Sequence, residues 1–288
     1  MRHALNGSQA VKLAPCDTRS QKNSFSVRLC AAILSPSVPV AARAAANMDM
    51  LRAPEIERHW ALFLDLDGTL LDIALAPDKV VIPPGLIDAL ARVGAALDGA
   101  LAVVSGRRLG DVDRLLSPLR LPVAAEHGAV IRLPSGALDR IPVARRPPGE
   151  WMKQIREATR GWSGILVEEK TYSVAIHYRL APHQRGAVRQ LATSLLRTVP
   201  DRFELLMAKQ AFELRPKGVT KARGVEVLMG QAPFRGRQPV FVGDDVTDED
   251  GIEIADRMGG LGLHVDAAFG GQPRAVRDWL KRAADSLE

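Results

Sequence analysis

The apolar pentapeptide Trp60-Ala61-Leu62-Phe63-Leu64 runs without a break into Asp65-Leu66-Asp67-Gly68-Thr69-Leu70. A run this short and this continuously apolar reads as a strand buried on both faces. Side chains at i and i+2 of a strand point to the same side, so Asp65 and Asp67 leave its end together. Open α/β sheets place their active sites at such strand ends. Two carboxylates this close repel unless something positive lies between them, and a divalent cation removes the conflict.

The same plan recurs downstream. Pro84 opens a helix whose apolar positions Leu86, Ile87, Leu90, Val93 and Leu97 follow a helical period. Residues 100–104 read as a second strand, ending at Ser105-Gly106-Arg107. A short helix carries Val112, Leu115 and Leu116. Residues 122–125 read as a third strand, ending at Glu126-His127-Gly128. This spacing predicts βαβ units and a parallel sheet. The middle differs: Pro134, Pro142, Pro147 and Pro148 punctuate a crossing. Helices are expected over 150–159 and 183–198, with strands over 164–167, 172–178, 203–207 and 211–214. Over residues 172–179 Tyr172, Val174, Ile176 and Tyr178 lie opposite Ser173, Ala175, His177 and Arg179, an alternation that suits an antiparallel sheet with two unlike faces. From Pro216 the βα pattern resumes, with a helix over 221–229, strands over 239–242 and 261–265, and a last helix over 273–284. The expected organisation is α/β: a catalytic core of 55–133 and 213–288, with a smaller α+β insert at 134–212.

Composition excludes little but locates the charge. Of the 288 residues 25% are charged, for a formal net charge of +6. Residues 1–50 hold Arg2, Lys12, Arg19, Lys22, Arg28 and Arg43 against only Asp17 and Asp49, so most of the excess sits there. No basic run is interleaved with aromatics, which argues against a nucleic-acid partner. No apolar run approaches the roughly 20 residues of a membrane span. Cys16 and Cys30 also lie in that stretch, leaving no disulfide or zinc framework elsewhere and favouring a reducing, cytoplasmic setting. Residues 1–50 read as a disordered extension, or as a start assigned too early with Met48 or Met50 the true one. A transit peptide is a second reading. A secretory signal is disfavoured by Ser35, Pro36, Ser37 and Pro39.

Four segments suit one reaction: Asp65/Asp67, Ser105, Lys221 and Gly243-Asp244-Asp245-Val246-Thr247-Asp248-Glu249-Asp250. A carboxylate can attack phosphorus. Magnesium binds through carboxylates plus substrate phosphate. A lysine and a hydroxyl can hold phosphoryl oxygens where charge persists in the transition state. In this order the four motifs resemble those of the haloacid-dehalogenase-like (HAD) superfamily, over about residues 58–288. The resemblance implies a Rossmannoid core with a cap between the second and third motifs. It implies that Asp65 is the nucleophile and a metal ligand, and that Asp67 is the general acid/base, its backbone carbonyl facing Mg2+. Ser105 and Lys221 would hold the phosphoryl group and Asp244 would complete the metal site, with Asp245 and Asp248 in support. Members that keep their aspartyl phosphate carry Thr where this chain has Asp67, so hydrolysis or a mutase reaction is implied.

Further segments resemble the trehalose-6-phosphate phosphatase family: Ser105-Gly106-Arg107, Glu126-His127-Gly128, Glu168-Glu169-Lys170, Ser173 to Arg179, and Glu213-Leu214-Arg215-Pro216. A disaccharide offers many hydroxyls, which carboxylates and lysine bind through charge-assisted hydrogen bonds. The resemblance implies sugar contacts from Glu168, Lys170 and Glu213, with Glu168 and Glu169 competing for one role. Arg107, His127, His177 and Arg179 are further substrate-binding candidates, each with a structural alternative: His127 as a packing residue at the hinge, His177 as a satisfied sheet residue, Arg179 as an ion-pair partner, Arg107 as a support beside Ser105. The four tryptophans read as packing residues. The third motif departs from the family's Ser-Lys-Gly-x-Ala, reading Thr220-Lys221-Ala222-Arg223-Gly224. The implied function is Mg2+-dependent hydrolysis of trehalose 6-phosphate. Alternatives are a phosphatase for sucrose 6-phosphate or a glycosyl-phosphoglycerate, or a catalytically silent sugar-phosphate sensor. The substrate would be a small sugar phosphate, and a trehalose-6-phosphate synthase is a candidate partner.

Overall fold

The computed structural model describes residues 53–142 and 145–287. The expectations for residues 1–50 lie outside the described residues. The apolar runs form a seven-stranded sheet in the order β11-β10-β1-β2-β3-β4-β5. Its first members are β1 (Trp60–Leu64), β2 (Leu101–Val104) and β3 (Val123–Ala125), separated by helices α1 (Leu86–Ala96) and α2 (Leu109–Leu116). All five residues of β1 are buried, as a central parallel strand covered on both faces requires. Two short strands, β4 (Val130–Arg132) and β5 (Leu138–Arg140), then extend the sheet antiparallel. They escaped the sequence reading because three residues give no usable period.

The chain then builds a second, antiparallel sheet in the order β6-β7-β9-β8. It comprises α3 (Gly149–Thr159), β6 (Leu166–Glu169), β7 (Val174–His177), α4 (Arg185–Leu196), β8 (Phe203–Ala208) and β9 (Ala211–Pro216). Its own core contains Trp151, Val174, Ile176, Phe203, Phe212 and Leu214. Both crossings fall later than the 134–212 insert expected from sequence. Hydrogen bonding assigns β5 to the first sheet and the whole of β9 to the second. The prolines that marked the crossing begin ahead of β5, so they misplaced it.

The chain re-enters the first layer through α5 (Lys221–Met229), β10 (Gln238–Gly243), α6 (Glu249–Arg257), β11 (Leu261–His264), α7 (Val265–Phe269) and α8 (Pro273–Ser286). β10 pairs parallel to β1 on the side opposite β2. Strand order therefore reverses between β1 and β10, and the crevice beyond their carboxyl ends is where open α/β sheets bind ligands. Asp65 follows β1 there and Asp244 follows β10. Among the described residues no helix is long and apolar enough to cross a membrane. Trp60, Trp151 and Trp279 are buried in the two cores.

Lys221 opens α5 and must sit close over the sheet. A Cβ on Gly224, one turn later, would lie 2.4 Å from the Cβ of Ala124 on β3. The small residue that the departing third motif supplies here lets the helix rest on the strand. Gly224→Val is expected to cost about 1–3 kcal/mol through overpacking, seen as a lowered urea-unfolding midpoint; an unchanged midpoint would contradict this packing.

Candidate active site

The turn after β1 is shaped by Gly68, whose φ of +88° favours glycine and where a Cβ would fall 2.1 Å from Oδ2 of Asp244. That gap brings the loops after β1 and β10 together. Asp65, Asp244 and Asp248 offer carboxylate oxygens all within 4.8 Å of one another. Lys221 lies buried against this cluster. Its Nζ donates to Oδ1 of Asp65 and to Oδ1 of Asp248, both at 2.5 Å.

The electrostatics are unbalanced. Burial, then the charge of Asp248, pushes the Asp65 carboxyl well above its ordinary range, against the pull of Lys221. Burial of Lys221 works against its charge, yet Asp248 and Asp65 outweigh it and raise its pKa. Asp244 is raised mainly by burial, although Lys209 offsets part of that. Its Oδ1 is buried without a hydrogen-bond partner. An all-oxygen, electron-rich cluster with an orphaned carboxylate oxygen fits a hard divalent cation.

Asp248 is more central than the supporting role expected for it. It is fully buried, and its Oδ2 accepts from the backbone N–H groups of Asp244 and Asp245 at 3.1 and 3.0 Å. It thereby folds the acidic loop as well as joining the cluster. Asp245 is not in the cluster; its side chain accepts from the N–H of Val246 and caps the turn over Val246–Asp248. Asp67 is not in the cluster; its carboxylate is held by Arg107. Ser105 is buried at the end of β2, its Oγ accepting from the N–H of Arg107 at 3.2 Å.

One cavity joins these residues to the second sheet. Asp65, Asp67, Ser105, Arg107 and Lys221 line its floor. His127, Glu168, Lys170, His177, Arg179 and Glu213 line the remainder, so all the expected substrate-binding residues face one space. The polar face of the alternating strand, Ala175, His177 and Arg179, looks into it. Glu168 and Glu169 part company on opposite sides of β6. Glu168 accepts from His177 Nε2 at 3.0 Å inside the cavity, while Glu169 pairs with exposed Arg156.

Glu213 and Lys170 are both buried and bonded at 3.0 and 3.1 Å. Ser173 donates to Glu213 at 2.5 Å, and His127 Nε2 lies 3.3 Å from it. Lys170 also donates to the carbonyl of Gly106 at 2.9 Å, tying the second sheet to the first. Burial alone would raise the Glu213 pKa, but Lys170, then His127 and Ser173, hold it well below the usual carboxylate range. Burial lowers the pKa of His127 despite Glu213. His127 sits at φ +57°, an uncommon conformation outside glycine, with its ring beneath Gly106.

Sequence reasoning missed Lys209. It lies in the turn between β8 and β9, lines the cavity, and forms an ion pair with Asp244. A single lysine at a hairpin tip carries no signal of its own.

The sequence and the fold are similar to those of known proteins. Residues 63–277 match the family model described as trehalose-phosphatase. The chain belongs to the trehalose-phosphatase family. A protein of Sinorhizobium fredii described as a probable trehalose-phosphate phosphatase is 41% identical, over 78% of this chain and 85% of its own. The trehalose-6-phosphate phosphatase of Escherichia coli is 35% identical, over 83% of this chain and 92% of its own. The crystal structure of a trehalose-6-phosphate phosphatase related protein superposes with a TM-score of 0.63 at 25% identity, covering 78% of this chain and 96% of that one. The family brings with it the HAD-like Rossmannoid core and inserted α+β cap that the two sheets form.

The Glu213 network has a pH signature. Its folded-state pKa is depressed, so its contribution is present above the usual carboxylate range and fades as pH falls through the lowered value. Glu213→Gln strands Lys170 and should cost about 3–5 kcal/mol near neutral pH. Urea denaturation across an acidic pH series should show that penalty shrinking; a penalty independent of pH would contradict the assignment.

Proposed function

We propose that this trehalose-phosphatase family member hydrolyses trehalose 6-phosphate to trehalose and phosphate through a phosphorylated Asp65. The observation that carries the proposal is one cavity whose floor holds the aspartates and Lys221 and whose cap wall holds Glu168, Lys170 and Glu213. The floor suits a phosphoryl group and the wall suits sugar hydroxyls.

Asp65 attacks phosphorus. Lys221 orients that carboxylate and, with Ser105, holds phosphoryl oxygens whose charge persists through the transition state. Asp67 gives a proton to the departing sugar oxygen, then takes one from the water that hydrolyses the phospho-enzyme. Asp65, Asp244 and Asp248 would hold Mg2+, with the backbone carbonyl of Asp67 a further oxygen ligand. When bound, the ion neutralises carboxylate and phosphoryl charge in the site. Glu168, supported by His177, and Glu213, supported by Lys170 and His127, read the sugar hydroxyls. Arg179, whose guanidinium donates to the Lys209 carbonyl, completes the wall. Asp245 shapes the acidic loop. The proposal extends to a cytoplasmic setting and to association with a trehalose-6-phosphate synthase, which would supply the substrate; independent elution of the mixed pair on size exclusion would count against the association.

Phosphate release from a panel of sugar phosphates tests the substrate. Trehalose 6-phosphate should be turned over far faster than sucrose 6-phosphate, and chelation of Mg2+ should abolish the activity. Comparable rates across the panel would contradict the cap assignment. Asp65→Asn should leave no turnover, while Asp67→Asn should lose about 10²–10⁴-fold yet retain Mg2+ binding by calorimetry. Normal turnover in either variant refutes its role.

A further inference from the structure

The guanidinium of Arg107 is committed to two neighbours. Nε and Nη2 donate to the two carboxylate oxygens of Asp67, at 2.6 and 2.7 Å. Nη1 donates to the main-chain carbonyl of Pro77 at 3.0 Å. The Arg107 side chain is 11% exposed, whereas that of Asp67 is 36% exposed and faces the cavity. Two parallel N–H···O bonds fix direction as well as charge. Pro77 belongs to the loop that walls the cavity with Ile73 and Leu75.

We propose that Arg107 is a positioning residue for Asp67 rather than a grip on the substrate's phosphoryl group. It fixes the rotamer of the proton carrier and fastens it to the loop that walls the sugar pocket. The proposal rests on the reading of Asp67 as acid/base. As an Asp65 oxygen bonds to phosphorus and the P–O bond to the sugar breaks, the proton on one Asp67 oxygen passes to the sugar oxygen. One N–H of the fork releases the oxygen that carries the proton, and the other Asp67 oxygen stays on Arg107 throughout. When water attacks, its proton returns to Asp67 as the P–O bond to Asp65 breaks. An arginine that served the phosphoryl group would need the same fork free.

The two roles separate by leaving group. A sugar alkoxide needs the proton from Asp67, while p-nitrophenolate leaves without one. kcat/KM reports only the steps through departure of that first group. For Arg107→Ala we expect kcat/KM to fall about 10²-fold on trehalose 6-phosphate and less than about fivefold on p-nitrophenyl phosphate. In an Asp67→Asn background the same change should cost little more, since the two act as a unit. Arg107→Lys should recover part of the sugar-phosphate rate, because an ammonium holds one oxygen but not both. Equal losses on both substrates, additive losses with Asp67→Asn, or full recovery with lysine would each overturn the proposal. Thermal melts of each variant identify any that fail to fold, and Arg107→Lys then carries the comparison. A wild type inert on trehalose 6-phosphate refutes the substrate reading alone. The contrast is then read, with the same outcomes, on whichever sugar phosphate is turned over.

Discussion

The buried ammonium of Lys221 between Asp65 and Asp248 is the contact on which the rest of the site depends. Three charged groups leave water together there, which is unfavourable unless each finds a partner. The fold supplies partners from elements far apart in sequence. Asp65 comes from the end of β1, Lys221 from the first turn of α5, and Asp248 from the turn after β10. Asp248 also accepts two backbone N–H groups of its own loop, so the charge that faces Lys221 is the charge that shapes the acidic segment. The same contact aims the Asp65 carboxylate. Gly68 and Gly224 are the steric conditions for it, since a side chain at either would push a strand loop or a helix away.

A second buried network joins cap to core. Glu213 on β9 meets Lys170 beside β6 and His127 from the turn after β3, and Lys170 reaches on to the Gly106 carbonyl. Tyr172 adds two bonds across the same joint, its N–H to Glu126 and its hydroxyl to the Ile141 carbonyl. Residues suited to sugar hydroxyls are thus also structural members of the joint. Under the proposed function, sugar binding and cap placement would run through the same side chains, and the Ser105-Gly106-Arg107 loop touches both the cap, through Lys170, and Asp67.

The core was legible because its signals are local. β1 and α5 fall where apolar periodicity and strand-end polar residues placed them, and the four motifs converge as their order implied. What sequence concealed was non-local. β4 and β5 are too short to show a period and are strands only because the sheet edge pairs them. Asp248 was expected only in support, since nothing in Asp248-Glu249-Asp250 says which carboxylate turns inward to meet a lysine 27 residues away in sequence. Arg107 stood beside Ser105 with its partner undecided. Only the fold shows that its fork closes on Asp67. Lys209 was invisible because a hairpin lysine gains meaning only from what the hairpin reaches.

In the proposed mechanism Asp65 carries the phosphoryl group covalently. Borohydride trapping during turnover of trehalose 6-phosphate with Mg2+, followed by peptide mass spectrometry, tests it directly, because hydride reduces an acyl phosphate to the alcohol. Homoserine is expected at position 65, dependent on substrate and lost when Lys221 is replaced. Reduction at Asp67 or Asp244 instead, or sustained phosphate release with residue 65 never modified, would contradict it.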